Sequence, residues 1–225
     1  MKNRFPYLNE SVFFKFPPVE TASADGLLAV GGNLSPGMLI SAYKQGIFPW
    51  FSEGGPILWW SPDPRYVLFP EKLHIPKSLK KDLKKNLFNV FFNTRFDEII
   101  EECSRIPRPG QSGTWITEEI KKAYIKLFEL GYISCAAVTE PESDNLVAGV
   151  YGVKIGKCFC GESMFAKVDN ASKYGFVKFV EHLKQEDIVI IDCQIKTANL
   201  ERFGAEMIPR TLFLDIISRA SGVYL

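Results

Sequence analysis

An acid and an amide interrupt an apolar segment near the end of this 225-residue sequence. Asp192 and Gln194 follow the hydrophobic residues 188–191 and flank Cys193. Because side chains alternate between the two faces of a strand, this spacing predicts that Asp192 and Gln194 point to the same face. Burial of such groups without hydrogen-bond partners is unfavourable. Two interpretations follow: a satisfied polar pair in the core, or a catalytic pair facing a cleft.

The cysteines and histidines suggest little other chemistry. The five cysteines form an odd set without a C-x-x-C motif, which is typical of reduced thiols. The two histidines, His74 and His182, lie far from every cysteine in the sequence, so we expect no metal site. A Cys193 nucleophile served by a distant histidine is a formal alternative, but simple packing on the strand face opposite Asp192 is the favoured interpretation.

Lysines recur at helical spacing between residues 77 and 84. If this segment is helical, Leu79 and Leu83 back a basic stripe made of Lys77, Lys80, Lys81 and Lys84. The stripe is interpreted either as solvated surface or as a surface that contacts nucleic-acid phosphates. The net charge of +1 does not decide between them, because the charge of the whole chain averages over local patches.

Composition indicates a globular protein. A hydrophobic content of 46% with 24% charged residues allows one large domain or two modest ones with a real core. No segment approaches the roughly 18 consecutive apolar residues of a membrane span. The first residues lack the apolar stretch of a secretion signal, so we expect a cytoplasmic protein with no membrane partner.

The order of predicted elements indicates a mixed α+β fold. The patterns predict a helix that starts at Pro36 and stops before Gly46, a strand at 89–92, helices at 96–103 and 118–130, strands at 133–138, 146–153 and 157–163, a helix at 176–183, the strand that carries Asp192, and a helix at 210–219. This is the order of N-acetyltransferase-type folds. The proline-rich segment 61–65 predicts a boundary between a small domain at 1–64 and a larger domain at 65–225.

Several tryptophan-containing motifs appear in a fixed order. They are Gly46-Ile47-Phe48-Pro49-Trp50-Phe51, Leu58-Trp59-Trp60-Ser61-Pro62-Asp63-Pro64-Arg65, Gly113-Thr114-Trp115-Ile116-Thr117, Cys160-Gly161-Glu162-Ser163-Met164-Phe165 and Ile191-Asp192-Cys193-Gln194. With these motifs the sequence resembles the leucyl/phenylalanyl-tRNA–protein transferase family from about residue 16 to residue 210.

The resemblance implies an aminoacyltransferase with a defined pair of substrates. Such an enzyme takes leucine or phenylalanine from leucyl-tRNA or phenylalanyl-tRNA and joins it to the N-terminal amine of a protein that begins with Arg or Lys, which marks that protein for degradation. The implied architecture is a small N-terminal α+β domain followed by a GNAT-like C-terminal domain. No cofactor is expected, because the aminoacyl ester is already activated.

The resemblance also assigns roles to residues. Asp192 and Gln194 are expected to act as a catalytic relay, in which the acid increases the negative character of the amide oxygen that orients the amine. Glu162 is expected to shape the reaction centre, against the alternative of a partly exposed acid at a strand end. The expected pocket for the aminoacyl side chain consists of Val150, Phe159, Met164, Phe179 and Ile191. Better-known members of the family carry methionine at the position of Val150.

The tRNA is expected to bind through aromatic and basic residues. By resemblance, the terminal adenosine lies near Trp50, Trp115, Tyr43 and Tyr124, and the lysine stripe contacts the acceptor stem. Without the resemblance, both tryptophans are ordinary core anchors.

Two other functions compete with this one. An acyl-CoA-dependent N-acetyltransferase would share the fold, but the sequence lacks the Q/R-x-x-G-x-G/A loop that binds pyrophosphate. A noncatalytic tRNA-binding protein would keep the aromatic and basic residues without any need for the pair formed by Asp192 and Gln194.

Overall fold

A computed structural model describes residues 5–106 and 114–221. The strands are β1 (Leu27–Val30), β2 (Phe48–Pro49), β3 (Leu58–Trp60), β4 (Arg65–Leu68), β5 (Asn89–Phe92), β6 (Ile133–Thr139), β7 (Leu146–Ile155), β8 (Cys158–Ala166), β9 (Ile190–Gln194) and β10 (Glu206–Ile208). The α-helices are α1 (Pro36–Lys44), α2 (Lys77–Lys84), α3 (Phe96–Arg105), α4 (Glu118–Glu129), α5 (Ala171–Gln185), α6 (Ala198–Glu201) and α7 (Arg210–Ser221). The predicted α+β class is confirmed.

The strands form two sheets. A three-stranded antiparallel sheet has the order β1-β3-β2, and a seven-stranded sheet has the order β10-β4-β9-β8-β7-β6-β5. The larger sheet is antiparallel except between β8 and β9, which run parallel. A parallel pair needs a crossover connection, and α5 provides it. The strand β9 therefore lies between β8 and β4, the strand that begins at Arg65.

Local signals fix the ends of several helices. Proline at the first position starts α1, and Gly46 follows its end with φ +72°. The Thr117 hydroxyl caps α4 by accepting a hydrogen bond from the Ile120 backbone N–H at 3.3 Å. The segment with the lysine stripe is the helix α2, in which Leu79 is buried and Leu83 half-buried. These predictions are confirmed because caps and amphipathic spacing act within a few residues.

Hydrophobic packing covers both faces of the central strands. One face of β7 carries Tyr151, which meets Phe96 of α3 and Tyr124 of α4 at ring-centroid distances of 5.3 and 6.3 Å. On the other face, Phe159 of β8 meets Phe179 of α5 edge-to-face at 5.1 Å. All seven residues of β6 are buried, because helices cover this part of the sheet on both sides.

No helix within residues 5–106 and 114–221 combines the length and the apolar composition needed to cross a membrane.

The close pairing of β7 and β8 generates a stability prediction. A Cβ atom added at Gly152 would lie 2.1 Å from the carbonyl oxygen of Cys160, which is backbone and cannot rotate away. We expect Gly152→Ala to lower the free energy of unfolding in urea by about 1–3 kcal/mol or more. The cross-strand neighbour Gly161 is the matched control, since the nearest atom to its added Cβ lies at 3.6 Å. Equal losses in Gly152→Ala and Gly161→Ala would contradict the prediction.

Candidate active site

A buried arginine lies beside β9, the strand that carries Asp192 and Gln194. Arg65 begins β4, which runs beside β9, and its guanidinium binds Asp192 in a bidentate pair. Nε lies 2.7 Å from Oδ1 and Nη2 lies 2.6 Å from Oδ2. Both side chains are at most 1% exposed. The rings of Phe48 and Phe213 lie 4.9 and 4.8 Å from the guanidinium carbon, so the charge is enclosed by aromatic rings as well as by the carboxylate.

The same carboxylate shapes the end of β9. Asp192 Oδ1 also accepts a hydrogen bond at 3.0 Å from the backbone N–H of Gln194. Gln194 has a left-handed φ of +56°, and the Ile195 N–H donates to the Cys193 carbonyl oxygen at 2.6 Å. This i to i+2 bond across a positive-φ residue is the pattern of a tight three-residue turn. The strand therefore stops at Gln194.

This turn corrects the expectation that Asp192 and Gln194 face a cleft together. Alternation of side chains holds for extended backbone, and Gln194 is not extended. Asp192 is completely buried, whereas Gln194 is half-buried and lines an open cleft. The contact between the two residues runs through the backbone N–H of Gln194. Within the described part of the chain, the Gln194 side-chain amide has no hydrogen-bond partner, so it is available to a ligand.

The cleft has a volume of about 310 Å³ and brings together distant parts of the chain. Its polar groups include the carboxyl of Glu162 from β8 and the amide of Gln194 from β9. Its walls also contain Phe48, Pro49, Trp50, Trp115, Cys193, Ile195 and Thr197. A cleft with few polar groups among aromatic and apolar walls is the usual form of a small-molecule or cofactor-sized site.

The two tryptophans stand at this cleft rather than inside the core. Trp50 and Trp115 are both half-buried and both line the cleft. The backbone carbonyl of Trp50 accepts a hydrogen bond at 2.7 Å from Trp60 Nε1, which holds that segment against β3. The Trp50 indole is thus carried by anchored backbone, an arrangement suited to stacking on a planar ligand.

Glu162 is joined to two buried tyrosines. The Tyr43 hydroxyl donates to Glu162 Oε1 at 2.7 Å, the Tyr124 hydroxyl donates to Oε2 at 3.2 Å, and the two hydroxyl oxygens lie 2.5 Å apart. Burial raises the pKa of the Glu162 carboxyl to about 8, although both tyrosine hydrogen bonds lower it. The nearby Asp192 charge adds to the increase. At neutral pH the Glu162 carboxyl therefore holds its proton.

Tyr43 and Tyr124 do not reach the cleft surface. They are 3% and 0% exposed and belong to α1 and α4, which cover one face of the sheet. Burial, together with the Glu162 charge, raises the pKa of both hydroxyls well above the usual value for tyrosine. In this structure neither ring can stack on an adenosine. Their contact with the cleft is indirect and runs through Glu162.

The five predicted pocket residues form a packed cluster instead of an open cavity. Val150, Phe159, Phe179 and Ile191 are at most 5% exposed, and Met164 is half-buried against them. None of the five lines the cleft, but Cys193 belongs to the same cluster and does line it. The structure thus brings these residues together behind Cys193 of the cleft wall, without an open cavity between them.

The lysine stripe lies on an exposed helix. Lys77, Lys80, Lys81 and Lys84 are all exposed, and none forms an ion pair with another residue of the described chain. A small cavity of about 120 Å³ at the start of α2 is also lined by Asn199 and Arg202. These two residues follow the cleft residue Thr197 closely in the chain, so the segment from 197 to 202 connects the cleft to the lysine helix.

Arg65 and the tyrosine contacts of Glu162 are the features that sequence reasoning missed. A signal for Arg65 exists, since an arginine that opens the apolar strand Arg65-Tyr66-Val67-Leu68 needs a buried anion as its partner. The tyrosines gave no such signal, because their spacing fits ordinary helix faces.

Comparisons with known proteins agree over nearly the whole chain. A family model described as leucyl/phenylalanyl-tRNA protein transferase matches residues 67–218, and the model of its N-terminal domain matches residues 32–63. A curated relative named leucyl/phenylalanyl-tRNA–protein transferase from Christiangramia forsetii is 53% identical over 90% of this chain and 96% of its own. Relatives of the same name from Myxococcus xanthus and Pseudomonas fluorescens are 51% and 50% identical, each over 91% of this chain and over 87% and 90% of their own.

The similarity to a solved structure is distant. A conserved protein of unknown function from Bacteroides thetaiotaomicron aligns with 62% of this chain and 53% of its own at 14% identity and a TM-score of 0.46.

The raised pKa of Glu162 generates a prediction about stability. The carboxyl releases its proton near its ordinary pKa of 4.5 in the unfolded chain but near 8 in the folded protein. Between these values the folded state binds more protons, so the free energy of unfolding falls as pH rises, by at most about 1.4 kcal/mol per pH unit. We expect Glu162→Gln to remove this slope in urea unfolding measured between pH 5 and 9.

The exposed Glu142 provides the control for this experiment. Glu142→Gln should leave the slope unchanged. If wild-type protein and Glu162→Gln show parallel curves, the Glu162 carboxyl is not protonated at neutral pH.

Proposed function

The chain belongs to the leucyl/phenylalanyl-tRNA–protein transferase family, and we propose that it transfers leucine or phenylalanine from aminoacyl-tRNA to the N-terminal amine of a protein. The observation that carries this proposal is the cleft, which combines an amide without a hydrogen-bond partner among the described residues, a carboxyl with a raised pKa and two indoles. The reaction needs groups of these kinds to orient the amine, exchange its proton and hold the tRNA end.

The reaction needs positioning more than activation. The ester that joins an amino acid to tRNA is already reactive, and roughly 10–20% of an α-amine with a pKa of about 7.7–8.0 is in the reactive neutral form at pH 7. Attack of the neutral amine nitrogen on the ester carbonyl forms the new amide bond and breaks the bond to the ribose oxygen of the tRNA, which leaves as a hydroxyl after it gains a proton equivalent to the one that the amine loses. The enzyme must hold amine and ester together and handle the proton that the amine loses. No step requires a metal or cofactor.

Gln194 and Glu162 are the proposed catalytic residues that face the substrates. The Gln194 amide oxygen accepts a hydrogen bond from the attacking amine and so orients its lone pair. Glu162 lies in the same cleft, and its carboxyl oxygens accept hydrogen bonds of 2.7 and 3.2 Å from the Tyr43 and Tyr124 hydroxyls. This network gives the reaction centre a group that can exchange protons near neutral pH.

Asp192 acts in this proposal from beneath the cleft. Asp192 contacts Gln194 at its backbone N–H, whereas the expected relay requires a contact with the side-chain amide. The buried carboxylate polarises this peptide group and fixes the position of the amide side chain.

The indoles of Trp50 and Trp115 are proposed to hold the terminal adenosine of the tRNA. Their half-buried positions in the cleft wall support this role. Stacking of one base on an aromatic side chain contributes about 1–3 kcal/mol without reading sequence. Tyr43 and Tyr124 support the same site through Glu162 instead of touching the base.

The aminoacyl side chain is proposed to enter the packed cluster of Val150, Phe159, Met164, Phe179 and Ile191. Its closed state means that leucine or phenylalanine must displace a side chain to enter. Met164 is the best candidate, because it is half-buried and methionine changes rotamer readily. Branching at Cβ places bulk close to the ester, so isoleucine and valine fit such a site poorly.

Several finer features belong to the proposal as well. The division into domains at 1–64 and 65–225 is supported by the two family models, which meet between residues 63 and 67. The GNAT-like fold of the second domain is proposed from the family resemblance. By family resemblance, the acceptors are proteins with N-terminal Arg or Lys, and the product is a degradation signal. The protein is proposed to act in the cytoplasm, where charged tRNAs are found.

A transfer assay tests the proposal. We expect label from leucyl-tRNA and phenylalanyl-tRNA to appear in a peptide that begins with Arg, and transfer from isoleucyl-tRNA to be lower by about 10-fold to 200-fold. Ribonuclease treatment of the donor should abolish transfer, and acetyl-CoA should not replace it. If the folded protein binds tRNA but transfers no amino acid, the proposal is wrong and the chain is a noncatalytic tRNA-binding protein.

The lysine helix generates a separate prediction for tRNA affinity. If the four lysines contact phosphates, replacing Lys77, Lys80, Lys81 and Lys84 by Gln should flatten the slope of log affinity against log salt by about 0.7–0.9 per lysine. Filter binding between 50 and 200 mM salt measures the slope. The control replaces four exposed lysines elsewhere, namely Lys122, Lys126, Lys157 and Lys184. Equal slopes in the two variants would show that the stripe is solvated surface without a specific contact to tRNA.

A further inference from the structure

Arg65 occupies a position with no simple structural explanation. Its guanidinium and the Asp192 carboxylate are sealed from water, although apolar side chains of similar volume would fill the same space without desolvating two charges. The Arg65 Nη1 atom is buried and has no hydrogen-bond partner in the described part of the chain. Because a buried ion pair of this kind contributes little net stability, stability alone does not account for Arg65 at this position.

The turn at Gln194 is a structure that this ion pair can hold in place. A non-glycine residue at φ +56° with an i to i+2 backbone bond is a sparsely populated conformation, and such residues persist only where their surroundings hold them. The backbone N–H of Gln194 is held by Asp192 Oδ1, the same oxygen that Arg65 Nε binds at 2.7 Å. The three groups therefore form one chain of contacts from the guanidinium to the turn.

The bidentate geometry explains why arginine is needed in this chain. Two parallel bonds fix the plane of the Asp192 carboxylate, and this plane sets the direction in which Oδ1 meets the Gln194 N–H. Phe48 and Phe213 in turn keep the guanidinium from rotating. A lysine would keep the charge but would lose the planar fork.

We propose that Arg65 is a positioning residue for aminoacyl transfer, which acts through Asp192 to hold the Gln194 turn so that the side-chain amide points into the cleft. The role rests on the proposed function. It assigns to Asp192 a mainly geometric task, since its carboxylate is shared between Arg65 and a backbone N–H and has no path to the substrates. Arg65 itself touches neither substrate.

A double-mutant cycle between Arg65 and Gln194 tests this inference. We expect Arg65→Lys and Asp192→Asn each to lower kcat for leucyl transfer by about tenfold or more, with KM for leucyl-tRNA changed by less than about twofold. Asp192→Asn keeps an oxygen for the Gln194 N–H but loses the charge that orients it. In the Gln194→Gly background there is no amide to position, so Arg65→Lys should lower kcat by less than about twofold.

Two controls separate positioning from damage to the fold. Arg95 also forms a bidentate pair, with Glu98, at 2.7 Å for each bond, and it lies outside the cleft. Arg95→Lys should therefore leave kcat unchanged. The folded fraction of every variant is measured by urea unfolding, and kcat is expressed per folded molecule.

The outcomes are distinct. Full kcat in Arg65→Lys, or an equal loss in the wild-type and Gln194→Gly backgrounds, would overturn the positioning role. Absence of transfer by wild-type protein would instead overturn the proposed function and leave the cycle without a signal to measure.

Discussion

The buried ion pair between Arg65 and Asp192 is the interaction on which the rest of the structure depends. It joins two adjacent strands of the large sheet, and it is enclosed by Phe48 from the small sheet and Phe213 from the last helix. Removal of one partner from such a pair leaves an uncompensated buried charge, which typically destabilises a protein by about 3–5 kcal/mol. The pair therefore lies where the small sheet, the large sheet and α7 meet, and the same elements also share one hydrophobic cluster that contains Phe48, Val67 and Phe213.

That requirement also separates the two residues that the sequence places side by side. The acid is sealed under the cleft, where its charge is neutralised by arginine, and the amide emerges on a tight turn at the cleft surface. Glu162 differs, since it accepts from two tyrosine hydroxyls and has no cation within hydrogen-bond distance among residues 5–106 and 114–221. Burial without a partner cation keeps its proton in place, so the cleft presents a neutral carboxyl beside a neutral amide. A neutral cleft suits an amine that must lose its own charge before it reacts.

The two proposed substrate sites differ in how far they are formed before a substrate binds. The indoles already line an open cleft, whereas the aminoacyl cluster is closed behind Cys193. A preformed stacking surface gives early, sequence-tolerant binding of the tRNA end. A packed apolar cluster can admit the aminoacyl side chain only if protein side chains move aside. Only an aminoacyl side chain that fills the space well then replaces the protein contacts that are lost. The proposed selectivity for leucine and phenylalanine then follows from packing in the protein interior.

The sequence by itself determined the elements and the family. The first helix, the capped helix after Thr117, the lysine helix and the hairpin between β7 and β8 follow from caps, turns and periodicity, which act over a few residues. The motifs around the tryptophans and around Asp192 identified the family and four of the residues that line the cleft, namely Trp50, Trp115, Glu162 and Gln194. Only the tertiary structure decided how those residues are used. Arg65 and Asp192 are 127 positions apart, Tyr43 and Glu162 are 119 apart, and the positive φ of Gln194 breaks the alternation that the strand pattern implies. Contacts at such separations depend on the order of strands in the sheet, and no local rule of the chain encodes that order.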